Sequence, residues 1–159
     1  MIGGEVLNGK YSRAGHLGHI SIDPNGKTGI LQLPGTLEVA IGNATVRERT
    51  QGKFDTTLEL IKAFNAGDEY AQDAWDRFVF DLARTLCSLT NILSPELIII
   101  GGGISRAGDA LFNPLEIKMD QMEWRPTGTA TPVVPAQFEQ HAGAVGAAAF
   151  VMKKFGILN

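Results

Sequence analysis

The chain has 159 residues and a mass of 17.1 kDa, which suits one domain or part of a two-domain protein. Hydrophobic residues make up 44% and charged residues 19%, a globular composition that excludes a mainly disordered chain. The net charge of −3 favours neither direct nucleic-acid contact nor an anionic membrane surface, and the single cysteine excludes a disulfide framework and a cysteine-rich zinc site.

The first third of the chain predicts a β-hairpin and a strand over residues 3–22. The turn dipeptide Asn8-Gly9 lies within this stretch, and the alternating residues 19–22 end it. The elements expected next are a turn at 23–26, a loop at 27–36, and helices at 37–50 and 55–66.

The clearest predicted element is a long helix over residues 68–93, because its apolar residues recur every three or four positions. Pro95 ends this helix. The continuous apolar run at residues 98–100 is typical of a strand covered on both faces. The remaining predicted elements are a helix at 105–122, a strand at 132–134 and a helix at 140–155. This order predicts an α/β fold.

The hairpin at the start would leave sheet edges unpaired, so Met1 is expected to lie in the middle of a sheet. We therefore expect a fragment or one half of a split protein. No apolar run reaches the roughly 18 residues of a membrane span, and the N-terminus lacks signal-peptide features. The single cysteine favours a reducing, cytoplasmic setting.

Three consecutive glycines, Gly101 to Gly103, follow the apolar strand. Glycines at the carboxyl end of a buried strand let a ligand approach the backbone, and the next helix offers free N–H groups. The spacing differs from the dinucleotide-binding fingerprint. A tight structural turn explains the same residues equally well, so both interpretations stay open.

The polar candidates of the first third are His16, His19 and Glu38. Two histidines three residues apart can bind a metal on a helix, but these lie in a predicted loop and strand without a cysteine nearby. Hydrogen bonds to backbone or carboxylate are the more ordinary role. Glu38, just inside a helix, either complements the helix dipole or accepts hydrogen bonds from ligand hydroxyls. Cys87 is interpreted as core packing.

These motifs together resemble the ROK family of repressors, uncharacterised open reading frames and sugar kinases. Residues 14–19 resemble its A-G-E-x-G-H motif, with His16 at the Glu position, and Glu38, 19 residues after His19, matches the final Glu of the family's motif of one His, three Cys and one Glu. The other matching segments are the glycine-rich hairpin at 3–9, the P-x-x-I-x-x-G-G-G motif at 94–104, and the closing G-A-x-G-A-A helix at 143–148.

The resemblance implies that residues 1–159 form the C-terminal lobe of an actin-like (ribonuclease H-like) ATPase fold, with a mixed sheet and flanking helices. It implies ATP-dependent phosphorylation of a hexose such as glucose, with ATP and Mg²⁺ as cofactors. The substrate-binding residues would be His16, His19 and Glu38. The residues lying against the adenosine of ATP would be Gly101, Gly102, Gly103 and Ile104.

The chain also departs from the family pattern. The family's zinc is held by one His and three Cys, and the Cys positions hold Gly29, Leu31 and Thr36, so no zinc is expected. Packing of apolar side chains should then fix the loop 27–36. These side chains are Ile30, Leu31 and Leu33.

The family's N-terminal lobe, with its D-x-G-G-T loop and catalytic Asp, has no counterpart in this sequence. No catalytic residue is therefore assigned, and the chain alone is expected to lack kinase activity. The alternatives are the sugar-sensing effector domain of a ROK transcriptional regulator and a non-catalytic remnant. The expected partners are a hexose or amino sugar, an N-terminal lobe or partner chain, and a second copy in a homodimer.

Overall fold

The structure is a computed structural model that describes residues 1–157, apart from the side chain of Gln140. It contains two compact units, Met1–Thr56 and a second that begins at Thr57. Within the described residues, no helix combines the length and apolar character needed to cross a bilayer.

The hairpin predicted over residues 3–22 is wrong. Ile2 and Glu5 instead form an isolated antiparallel bridge, and residues 17–19 form a short 3-10 helix where the strand was expected to begin. Gly3 and Gly4 both have positive φ and close a tight turn within this bridge. Glycine adopts such angles without strain, so the glycine-rich stretch turns repeatedly instead of extending.

The helix predicted over residues 37–50 is broken in two. Helix α1 spans Leu37–Ile41 and α2 spans Val46–Arg49, with a 3-10 turn at Asn43–Thr45 between them. The break occurs at Gly42, whose ψ of 146° is extended rather than helical. Because glycine disfavours helix interiors, this is where the predicted single helix ends.

The second unit confirms the long helix. Helix α3 spans Thr57–Asn65 and α4 spans Glu69–Leu93. The Asp68 side chain accepts a hydrogen bond from Ala71 N at 2.8 Å and caps the start of α4. Ser94 then ends it in a left-handed conformation with φ of 45°.

Helices α4 and α5 pack against each other through one indole ring. Helix α5 spans Asp109–Met122, after a 3-10 turn at Gly103–Ala107. Trp75 is 1% exposed, stacks on Phe78 with ring centroids 4.6 Å apart, and donates through Nε1 to the Ala110 carbonyl at 2.8 Å. Pro114 lies four residues after Ala110 and has no N–H, so this carbonyl lacks its usual helical donor. The indole supplies the missing donor.

The sheet of the described chain is a parallel pair. Strand β1 spans Ile98–Ile100 and β2 spans Val133–Pro135, with Ile99 opposite Val134. Antiparallel pairing among the described residues occurs only as isolated bridges in the first unit. The last element, α6, spans Ala142–Lys154. Strands and helices alternate along the second unit, so the α/β prediction is confirmed.

Candidate functional site

The carboxylate of Glu38 lies between the backbones of two glycines. Glu38 is in the first turn of α1 and is exposed. A Cβ placed on Gly18 would lie 3.2 Å from Glu38 Oε2, and a Cβ placed on Gly42 would lie 2.5 Å from Oε1. Both glycines therefore leave room for the carboxylate, and Glu38 stays exposed to solvent.

Backbone hydrogen bonds bring the histidine segment to the start of α1. Leu37 N donates to the Ile20 carbonyl at 3.0 Å, and Ser21 forms an isolated bridge with Thr36. This pairing places Gly18, next to His19, against the Glu38 side chain. The short 3-10 helix thus brings the predicted sugar-binding segment to Glu38. A pocket shared by both side chains stays a prediction.

The two histidine rings are stacked. The centroids of His16 and His19 are 6.0 Å apart and their planes differ by 8°. His16 is exposed, whereas His19 is half-buried. His16 Nδ1 lies 2.9 Å from the Arg13 carbonyl, which can only accept, so Nδ1 carries the proton. Nε2 of a neutral His16 is then left as an acceptor.

Backbone hydrogen bonds hold the loop 27–36. The predicted packing of its apolar side chains is wrong, because these side chains are exposed. Ile30 is 90% exposed, and Leu31 and Leu33 are also exposed. Gly35 N donates to the Lys27 carbonyl at 2.8 Å, and Thr28 forms an isolated bridge with Pro34. Hydrogen bonds close this loop without burying its apolar residues.

The positions that match the family's zinc cysteines have other roles. A Cβ on Gly29 would come within 2.9 Å of Val39 Cγ2, so even alanine would crowd that position. The Thr36 hydroxyl accepts from Val39 N and caps α1, and Leu31 is exposed. Within residues 1–157, no three His, Cys, Asp or Glu side chains form a group that could hold a metal. Gly29, Leu31 and Thr36 carry no thiolate and do not fit the family's zinc site, and the absence of bound zinc stays a prediction.

The three glycines after β1 divide into two kinds. A Cβ on Gly101 would lie 3.4 Å from Ala136 Cβ and 3.6 Å from Ala142 Cβ, so Gly101 allows close packing. At Gly102 and Gly103 an added Cβ would meet nothing within 4 Å, and Gly102 has a φ of 78°. The structural interpretation therefore suits Gly101, whereas the other two leave their backbone open to a ligand.

The backbone at the end of β1 is open around Gly102 and Gly103. Ser105 Oγ donates to the Gly102 carbonyl at 2.8 Å and tightens the turn, and Ile104 is half-buried beside it. The open glycine backbones lie at the carboxyl end of a parallel strand, where ligands of α/β sheets commonly bind. The nucleotide contact that the motif implies stays a prediction.

A buried charged cluster was missed by the sequence analysis. The Glu123 side chain is 1% exposed and accepts from Arg125 Nε at 2.7 Å and from Thr131 N at 3.0 Å. Arg125 also donates to Asp120 at 2.6 Å. Burial alone would raise the pKa of Glu123, but the hydrogen bonds from Thr131 and Arg125 outweigh it and hold that pKa below its ordinary value.

This cluster has a structural role. It joins the end of α5 to the segment entering β2, beside an open cavity of about 300 Å³ that Met119, Arg125 and Val133 help to line. Its members are not adjacent in the sequence. Only the opposite charges of Glu123 and Arg125, two residues apart, could have indicated the cluster.

Comparison with known proteins decides the family. The sequence model of the ROK family matches residues 1–154. The chain belongs to the ROK family. It is 34% identical to a glucokinase from Thermotoga maritima over 96% of this chain and 54% of that protein. It is also 27% identical to the Escherichia coli DNA-binding transcriptional dual regulator NagC, over 98% of this chain and 41% of that one.

The fold agrees with this assignment. A ROK family glucokinase from Streptomyces griseus, solved in complex with glucose and AMPPNP, superposes with a TM-score of 0.81 at 25% identity, covering 94% of this chain and 55% of that one. The chain therefore has the actin-like ATPase fold of ROK kinases. It spans about half the length of the curated relatives it matches.

Proposed function

We propose that the chain is the C-terminal, sugar- and nucleotide-binding lobe of a glucokinase-like hexose kinase. The observation that carries this proposal is the exposed Glu38 carboxylate, which lies between Gly18 and Gly42 beside the histidine segment. A carboxylate can accept hydrogen bonds from two neighbouring hydroxyls. The likeness to the Thermotoga maritima glucokinase supports the same assignment.

Each sugar-binding residue has a distinct role in this proposal. Glu38 accepts from two adjacent hydroxyl groups, and His19 donates or accepts through one ring nitrogen. His16 has its Nδ1 engaged by the Arg13 carbonyl, so its Nε2 accepts from a hydroxyl at the rim. Since His16 replaces a carboxylate of the family motif, we expect weak sugar binding.

The adenosine of ATP would lie against Gly102 and Gly103, whose backbones are open, with Ile104 beside them and Gly101 supporting the turn. When bound, ATP supplies the transferred phosphoryl group, and Mg²⁺ neutralises charge on its phosphates. This chain's own residues bind and orient the two substrates. Because none of them is assigned as a general base, we expect no turnover by the chain alone.

A second candidate function is the effector domain of a ROK transcriptional regulator. It is favoured by the match to NagC over 98% of this chain. In that role the same site would bind a hexose or amino sugar without phosphoryl transfer. A non-catalytic remnant would bind neither ligand.

We propose a homodimer and a cytoplasmic setting for either functional form. Light scattering of the purified chain tests the dimer.

Titration of the isotope-labelled chain with glucose and with N-acetylglucosamine tests the proposal. Glucose should shift the resonances of residues 16–19 and of Glu38. Glu38→Gln should weaken glucose binding roughly ten- to a hundredfold, because a charged acceptor is lost. Glu69→Gln changes a carboxylate in the first turn of α4 and serves as the matched control. Binding of the amino sugar alone favours the regulator, and no shift with either sugar contradicts both functions.

The nucleotide contact is tested separately with AMPPNP. Gly103→Val fills the open backbone face after β1 and should abolish nucleotide-induced shifts at Ile104 while leaving glucose shifts intact. Unchanged AMPPNP binding by this variant would contradict the adenosine assignment without affecting the sugar site.

A further inference from the structure

A cavity in the second unit lies between one face of α5 and the segment that enters β2. Its volume is about 300 Å³, at the lower end of the range for small-molecule sites. Phe112, Glu116 and Met119 line it from successive turns of α5, and Thr131 and Val133 line it from the other side. Both walls belong to one compact unit, so the cavity depends on that unit alone.

The cavity is separate from the proposed nucleotide contact. Val133, which begins β2, lies opposite Ile98, the first residue of β1. The open Gly102 follows the other end of β1. Because the two strands are parallel, the cavity and the glycine turn lie at opposite ends of the sheet. A ligand in this cavity would therefore bind apart from the nucleotide.

The cavity has an excess of negative charge. Arg125 is the one cationic side chain among its described lining residues, and it already pairs with Asp120 at 2.6 Å and with Glu123 at 2.7 Å. The Glu116 carboxylate, one helical turn before Asp120, has no ion-pair or hydrogen-bond partner among the described residues. Like charges four residues apart on a helix repel each other, so a cation between Glu116 and Asp120 would relieve this repulsion.

The other walls of the cavity are apolar, which favours an organic cation over a metal ion. Phe112, Met119 and Val133 offer no oxygen ligand from their side chains. Metal ions such as Ca²⁺ take about six or more oxygen ligands. Within residues 1–157, no three His, Cys, Asp or Glu side chains form a group that could hold a metal ion. An organic cation can instead place its charge at the carboxylates and its apolar body against these walls.

We propose that this cavity binds a small primary amine with an aromatic body. Its ammonium group donates to the carboxylates of Glu116 and Asp120, and its ring packs against Phe112 and Met119. An ammonium group has three N–H donors, and two carboxylates one helical turn apart can accept two of them. This site lies outside the proposed kinase function and does not depend on it.

Titration of the isotope-labelled chain with phenethylamine tests the proposal. The amine is a cation at neutral pH and should shift the methyl resonances of Met119 and Val133 saturably. The uncharged 2-phenylethanol should bind at least about threefold more weakly, since a partly exposed ion pair contributes modestly. Glu116→Gln should weaken amine binding by a similar factor. Glu96→Gln changes an exposed carboxylate before β1 and, as the matched control, should leave amine binding unchanged.

A second variant tests the position of the ligand. Ala130 lines the cavity and is exposed, so Ala130→Phe should fill the cavity and abolish the amine-induced shifts while the chain stays folded. Binding that survives in folded Ala130→Phe overturns the proposal. It is also overturned by equal affinity for the amine and the alcohol, by the absence of saturable shifts, or by Ca²⁺ alone producing the same shifts. No sugar or nucleotide is present in these titrations, so their failure leaves the proposed function intact.

Discussion

Gly42 lies so close to Glu38 that a Cβ at Gly42 would come within 2.5 Å of Glu38 Oε1 and closer still to the Glu38 carbonyl oxygen. Gly42, which ends α1, therefore also leaves room for the Glu38 carboxylate in the first turn of the same helix. Secondary structure and the candidate ligand site depend on the same missing side chain.

Replacing Gly42 should disturb both features. Gly42→Ala forces the end of α1 to shift, since one atom it meets is backbone, and we expect a loss of about 1–3 kcal/mol in the free energy of unfolding. The displaced carboxylate should also weaken glucose binding. Urea denaturation and sugar titration measure the two effects. Gly143→Ala, where an added Cβ meets nothing, is the control and should leave both unchanged or slightly raise stability.

The buried Glu123 should make stability depend on pH in the acid range. Its pKa in the folded protein is held below the ordinary 4.5, so its contribution is fully present above about pH 4.5 and is lost as the pH falls through the lower folded-state pKa. Glu123→Gln should lower the free energy of unfolding at neutral pH by about 1.5–3 kcal/mol and flatten its acid dependence.

Urea titrations at neutral and acid pH measure this difference. Glu116→Gln changes a carboxylate that lines the same cavity and should retain the wild-type pH profile. If the free energy of unfolding of Glu123→Gln falls with acid as steeply as that of the wild type, groups other than Glu123 cause the acid dependence.

The only thiol of the chain should react slowly in the folded state. Cys87 is 5% exposed, and burial raises the pKa of its thiol, with the charge of Glu123 adding to the effect. The reactive thiolate is therefore scarce at neutral pH, and reagent can reach it only when the helix pair opens. Labelling by an aromatic disulfide should be orders of magnitude slower in buffer than in denaturant. Equal rates would mean that α4 opens freely at this point.

The chain purified without chelator should contain far less than one equivalent of zinc. Of the four ligands of the family motif only His19 remains, and Gly29 has no space for a cysteine beside Val39. Elemental analysis measures the content. About one zinc per chain that survives dialysis, and disappears in His19→Ala, would contradict this expectation.

The parts of the fold that depend on local sequence were predictable. The stripe of α4 was predicted because burial imposes a period on neighbouring residues. The strand before the glycines was predicted from its continuous apolar run, but its expected cover on both faces is wrong, since Ile99 is 60% exposed. The hairpin over residues 3–22 failed because glycine-rich turns suit many backbone paths, and extended strands need partners that are distant in sequence. Gly42 can be read from the sequence, but the end of α1 at this residue depends on contacts that no sequence pattern shows.

The site was only partly predictable from the residues. Taken alone, Glu38 suited helix-dipole complementarity as well as ligand binding, and only the family resemblance joined it to the histidines. The structure adds the contact of Gly18 with Glu38, which depends on a backbone hydrogen bond between Leu37 and Ile20. The Glu123 cluster was missed because Thr131 reaches it from a loop eight residues away.

The proline inside α5 makes two positions on different helices interdependent. Pro114 leaves the Ala110 carbonyl without a helical donor, and the indole of Trp75 occupies it. With Pro114→Ala the helix would compete with the indole for the same oxygen, whereas Trp75→Phe would leave that partly buried oxygen without a donor. The two substitutions should therefore be less harmful together than their separate effects suggest. Natural sequences that lose this proline should then tolerate a ring without an N–H at position 75.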